Sequence, residues 1–158
     1  MNIIYAALFI CIAYFLLVFI GLRFLIPFMG FKEPKIPEEL PQEVKNTIEN
    51  LKNHSHNAMH YLKAAYDFRN SRWHTDFTKT ITKFPLSFRK SFDEFWQTNG
   101  FMHCNTMNYI LYVLLIKSGY FNKEDVRFRY TIQNLFIHQY IQVKIKDKWI
   151  NIDTKDKS

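Results

Sequence analysis

Disulfide bonds cannot frame this chain. Its 158 residues hold two cysteines, Cys11 and Cys104, and Cys11 lies inside a continuous apolar run, which suits a reducing compartment. Long blocks of one charge are missing too. The 21 Lys and Arg outnumber the 14 Asp and Glu, giving a formal net charge of +7, yet the charges are scattered and no nucleic-acid motif accompanies them. Nucleic acid is therefore not an expected partner. A metal site also lacks its parts. His56 and His60 are four apart in HNAMH, as zinc ligands are on a helix, but no glutamate stands between them and no third ligand is apparent. No metal and no cofactor is expected.

The N-terminal region is the clearest organisational signal. Ile3 to Leu22 reads IIYAALFICIAYFLLVFIGL, without a charge, and as a helix it covers about 30 Å, one bilayer hydrocarbon core. A cleaved signal peptide would need a basic n-region, and Met1-Asn2 supplies none. Residues 1–30 are thus expected to be a single-pass membrane anchor, with the bilayer as partner of residues 3–22. Arg23, Lys32 and Lys35 follow the span and nothing basic precedes it, which leans the remainder toward the cytoplasm. Residues 31–41, FKEPKIPEELP, are rich in proline and charge and read as a stiff linker. The chain has room for one modest domain after it, residues 42–158.

Within that domain the hydrophobic period changes once. Val44, Ile48 and Leu51, then Met59, Leu62, Ala65 and Tyr66, keep helical spacing as two helices or one broken near 53–57. A third helix is expected over 87–96, with Phe88, Phe92, Phe95 and Trp96 on one face. A fourth follows Cys104, where Met107, Ile110, Leu111, Leu114 and Leu115 recur at three and four residues and Gly119 closes it. VRFRYT and FIHQYIQVKIKDKWINID then alternate with period two, as strands do. Helices followed by a small antiparallel sheet predict an α+β domain.

The alternation places side chains. His138, Tyr140, Gln142 and Lys144 share one strand face, and Trp149, Asn151 and Asp153 share a face of the next strand. A two-residue loop at 146–147 or 147–148 sets Asp153 opposite Tyr140 or Gln142, on the face of His138. A three-residue loop would separate them. Cys104 itself has two readings. It is a small buried residue, or a nucleophile at a helix N-terminus, where unpaired N–H groups and the macrodipole favour the thiolate. His103, just before it, reads as a solvent-facing cap, with a second base or a metal ligand as alternatives. Cys, His and Asp are the three parts of a thiol acyl-transfer site.

Cys104 leading an apolar helix, His138 in HQYIQV, Trp149 after a short turn and then Asp153 together resemble the transglutaminase-like core of the papain-like superfamily. His138 follows Cys104 by 34 residues and Asp153 follows His138 by 15, which suits a minimal version of that core. Gly119, Val143 and Trp149 occupy supporting positions. Tyr140 stands where the family has Trp, Thr154 where it has Pro, and Gly100 lies four residues before the cysteine rather than two. The resemblance implies Cys104 as nucleophile, His138 as base and Asp153 as the acid that orients it. It implies acyl transfer or hydrolysis at an amide of a protein or peptide. The backbone N–H of Cys104 is the natural oxyanion donor, with Gln97, Asn108, Trp73 or Trp96 as candidates for a second. A catalytically silent, membrane-tethered interaction module on the same fold is the alternative. Accessibility of Cys104 to a groove separates the two.

Overall fold

A helix that is buried on every side must lie in the middle of something. Cys104–Lys117 is that helix, the seventh along the chain, α7. Every residue from Asn105 to Leu115 is buried, although the apolar spacing alone marks only one face. The computed structural model describes residues 3–133 and 136–154, and within them α7 is surrounded by helices that precede it and by strands that follow it. Gly119, with φ +79°, takes the left-handed conformation that ends the helix, where an L side chain is strained.

The helices before it are α1 (Ile3–Leu16), a π-helical turn Leu17–Gly21, α2 (Leu22–Leu25), α3 (Gln42–Asn53), α4 (Ala58–Arg72), α5 (Phe77–Thr82) and α6 (Phe92–Gln97). Residues 42–72 thus form two helices. Asn57 separates them and caps α4 by accepting from the His60 N–H at 3.0 Å. His56 falls outside α4, so His56 and His60 do not share a helix face. The helix expected over 87–96 is shorter, starting after the cap Ser91. Phe88 belongs instead to a separate 3-10 turn, Phe84–Phe88, and is 41 % exposed, whereas Phe92, Phe95 and Trp96 are buried.

Two sheets complete the chain. β1 (Trp73–His74) pairs in parallel with β2 (Gly100–Phe101), and Met102 N–H donates to the His74 carbonyl at 3.0 Å. These few bonds fix the approach to Cys104. β3 (Val126–Gln133), β4 (Phe136–Ile145) and β5 (Lys148–Ile152) form an antiparallel sheet in that order. Lys146 and Asp147, with φ of 47° and 62°, make the two-residue hairpin loop whose twist matches the strands. Ile141 and Val143 of β4 are fully buried on the face that completes the core around α7.

Ile3–Leu25 is one continuous apolar helix, long enough to cross a membrane, and little of it is buried. Nothing in its first fourteen residues is buried. Its far end behaves differently. Val18, Ile26 and Met29 are buried, and Phe28 stacks on Tyr109 of α7 with ring centroids 3.9 Å apart. The Pro27, Phe28 and Gly30 carbonyls accept from Asn105 (3.0 Å), Gln139 (2.6 Å) and Tyr130 (3.3 Å). Residues 31–41 also lie on the domain: Leu40 is buried, and Lys35 and Glu38 offer their carbonyls to Tyr109 and Lys117.

Candidate active site

Cys104 is the first residue of α7 and partly exposed. The first N–H groups of any helix have no intrahelical partner, so the Cys104 sulfur stands at a donor-rich end of the central helix. His138 comes from the start of β4 and Asp153 from just beyond β5. The loop at 146–147 pairs Ile141 with Ile152, so Asp153 continues opposite Tyr140 and diagonal to His138 on the same face. The contact follows: His138 Nε2 lies 2.6 Å from Asp153 Oδ1. With Nε2 held there, Nδ1 is the ring nitrogen left for Cys104, whose side chain acts on the imidazole.

The electrostatics of the pair follow from its surroundings. Burial pushes the His138 imidazolium down, but the hydrogen bonds to Asp153 and Cys104 and the charges of both more than offset this and raise it to about 10. For Asp153, burial pushes up, while the bond from His138, its charge, the Thr154 N–H and Arg69 together hold the carboxyl below its usual value. Thr154 N–H donates to the same Oδ1 at 2.7 Å, which fixes the carboxylate's rotamer. An imidazolium and a carboxylate are therefore the resting forms near neutral pH.

Behind the pair sits a residue that the sequence pattern does not mark. Arg69 of α4 is fully buried. Its Nη2 donates to the Asp153 carbonyl at 2.9 Å, and its Nη1 to Asn108 Oδ1 at 3.3 Å. Asn108 Nδ2 in turn donates to the Gln139 carbonyl at 2.6 Å. One guanidinium and one amide thus tie α4, α7, the end of β5 and the residue after His138 into a single frame. Burial lowers the Arg69 pKa to about 10, with the charges of Tyr66 and Asp153 opposing it, so the group stays a cation at neutral pH.

A cavity of about 380 Å³ opens beside Cys104 and His138. Its walls come from Leu22, Ile26 and Met29, from α5 and the turn after it, and from Phe136 and Ile137. The candidate second oxyanion donors are not among the residues lining it. Asn108 is spent on Arg69 and Gln139. The Trp73 indole donates to the Thr98 carbonyl at 2.6 Å, and Gln97 is exposed on α6. Trp96 is wholly buried between Phe68 and Phe92, its N–H without an acceptor among the described residues. Helix spacing cannot show that these side chains turn away into the core.

His103 also departs from expectation. It is 7 % exposed rather than a solvent-facing cap, lies edge-on to Phe101, and its Nε2 is 3.4 Å from the Thr80 carbonyl. Burial, only partly opposed by that carbonyl, lowers its pKa, so it lines the cavity as a neutral ring. Among the described residues no three metal-ligating side chains converge. Compared with protein-family models, with curated proteins and with solved structures, the chain matches none of them.

Proposed function

We propose that this chain is a membrane-anchored thiol enzyme with a transglutaminase-like core, which performs acyl transfer or hydrolysis through Cys104, His138 and Asp153. The observation that carries the reading is the His138–Asp153 contact of 2.6 Å beside a partly exposed Cys104 at the edge of a cavity. Three residue types read from the sequence in the order nucleophile, base and acid meet in one place, although they come from three separate elements.

In this mechanism the Cys104 thiolate attacks a carbonyl carbon. The tetrahedral oxyanion is received by the backbone N–H groups at the start of α7. His138 delivers its proton to the leaving group, and an acyl-thioester remains on Cys104. Water or an amine, deprotonated by His138, then attacks the thioester and releases Cys104. Asp153 keeps Nε2 protonated and the ring oriented throughout. Arg69 acts through Asp153 and Asn108 as a positioning residue. In this reading the anchor is a single transmembrane pass over Ile3–Leu22, and the basic residues after it support a cytoplasmic domain.

The silent module would use the same cleft to hold a peptide and would be favoured by a buried triad; the partly exposed Cys104 beside the cavity supports the enzyme instead. Alkylation of the full chain by iodoacetamide tests the reading. Labelling of Cys104 across pH should fall about tenfold or more in His138→Ala. Equal labelling of both proteins at every pH would sink the thiolate–imidazolium pair.

A further inference from the structure

The cleft has an unusual wall. Three of its lining residues, Leu22, Ile26 and Met29, belong to the end of the apolar N-terminal helix and the turn that follows it. No Asp, Glu, Lys or Arg is among its lining residues. A peptide substrate needs partners for its backbone and often for charge, whereas this lining, besides the groups around Cys104, offers only the uncharged Thr75, Thr80, Ser87 and Gln133. The volume, about 380 Å³, falls at the lower end of the ~300–1,000 Å³ range of ligand sites.

Depth adds a second argument. Ile3 to Leu22 spans about 30 Å as a helix, so residues just beyond Leu22 leave the hydrocarbon where the acyl ester groups of a bilayer lie. Leu22 and Ile26 line the cavity together with Cys104. With Ile3–Leu22 across a bilayer, that end of the cavity would lie near the level of the ester carbonyls of a neighbouring lipid.

Another part of the wall, from α5 and the turn after it, fits the same surroundings. Phe77, Ile81, Phe84 and Phe88 are between 37 % and 51 % exposed, and Lys79, Lys83, Arg89 and Lys90 are interleaved with them. Residues 77–92 contain no acidic side chain. Apolar rings alternating with cations are the composition of a segment that lies in a membrane interface.

We propose that the cleft takes the acyl chain of a bilayer lipid, and that the acyl group transferred to Cys104 comes from a lipid ester in the leaflet that the N-terminal helix enters. The inference rests on the triad reading above and names its substrate class. Cys104 sulfur bonds to the ester carbonyl carbon, the carbon–oxygen bond to the glycerol side breaks, and His138 gives its proton to that oxygen. The products are a lyso-lipid and an S-acyl Cys104, which water then hydrolyses to a fatty acid, returning the proton to His138.

The test uses the full chain reconstituted into vesicles of dioleoyl phosphatidylcholine with a fifth of phosphatidylglycerol. Intact mass reports acyl adducts on Cys104, and lipid chromatography reports lyso-lipid. Both signals are expected in the wild-type protein and absent in Cys104→Ala. Ile81→Glu, which puts a charge in the cleft wall, should lower lyso-lipid release about tenfold while iodoacetamide labelling at Cys104 is kept. His138-dependent labelling without adduct or lyso-lipid overturns the lipid substrate and leaves the triad standing. Labelling indifferent to His138 overturns the triad itself.

Discussion

Asp153 is more exposed than the histidine it holds: its side chain is 55 % exposed against 14 % for His138. Solvent screens such a pair, so its worth to the fold is about 1 kcal/mol, below that of a buried charge-assisted bond. The sign of its pH dependence is set by both shifts. His138, raised from 6.5 to about 10, contributes stability that is full below pH 6.5 and lost as pH rises through about 10. Asp153, lowered from 3.8, contributes stability present above 3.8 and lost as pH falls through its folded value. Asp153→Asn should therefore lower the thermal midpoint by roughly 2–4 °C between those limits. The gap to wild type should close toward pH 10, as thermal scans across pH would report. Arg69 has the larger structural effect. Arg69→Ala leaves Asn108 Oδ1 and the Asp153 carbonyl without their donor and opens a void, at a cost of about 2–4 kcal/mol. Urea unfolding in detergent measures it, and slowed Cys104 alkylation would show that the frame reaches the site. Cys104, His138 and Asp153 are legible because two of them obey the strand period and the third begins a helix. Arg69 is not, because an arginine among the polar residues of α4 reads as solvated and only the assembled core reveals that it is enclosed.

Between residue and molecule, the hairpin loop decides whether there is a site. Two residues at Lys146-Asp147 put Asp153 on the face of His138, and one residue more would turn it to the other face. Inserting a glycine after Asp147 should keep the helical circular dichroism signal and abolish the His138 dependence of Cys104 alkylation. Retained dependence would show that a bulge absorbs the insertion. The same loop is strained, since both residues have positive φ. Asp147→Gly should relieve about 1 kcal/mol of that strain, raising the thermal midpoint by about 2–4 °C. Longer elements were legible and short ones were not. α3, α4, α7 and the strands carry enough turns or alternations to show a period. α5 has six residues, FTKTIT, with three threonines; no apolar face emerges from it, and its real signal is the cap. Asp76 accepts from the Lys79 N–H at 2.8 Å, a pattern visible in the sequence but weak beside a β-branched run. The helix expected over 87–96 was too long because Phe88 fits its spacing, while the chain between Phe88 and Ser91 is extended and leaves that ring outside.

At the scale of the whole molecule, anchor and domain are not separable at residue 30. The first fourteen helical residues bury nothing, whereas the segment from Val18 to Gly30 supplies a buried face, three hydrogen bonds to the domain and one wall of the cleft. A long apolar run tells where a chain can cross a bilayer, but it has no feature marking where its last turns stop facing lipid and begin facing protein. Two truncations separate these roles. Removing residues 1–16 should cost vesicle association and leave the domain folded, because no core contact is lost. Removing residues 1–30 deletes the carbonyl partners of Asn105, Gln139 and Tyr130, unstacks Phe28 from Tyr109 and uncovers the cavity. Asn105 and Gln139 are buried, and a buried group that loses its partner costs about 1–3 kcal/mol; the lost apolar contact adds to it, so a large share of the ~5–15 kcal/mol typical of a small domain is at stake. The shorter chain should therefore bind a hydrophobic dye, unfold at a much lower temperature and lose the His138-dependent alkylation of Cys104. Equal thermal midpoints for the two truncations would mean that the wall from Leu22 to Met29 is only a neighbour, and that the domain closes its own cleft.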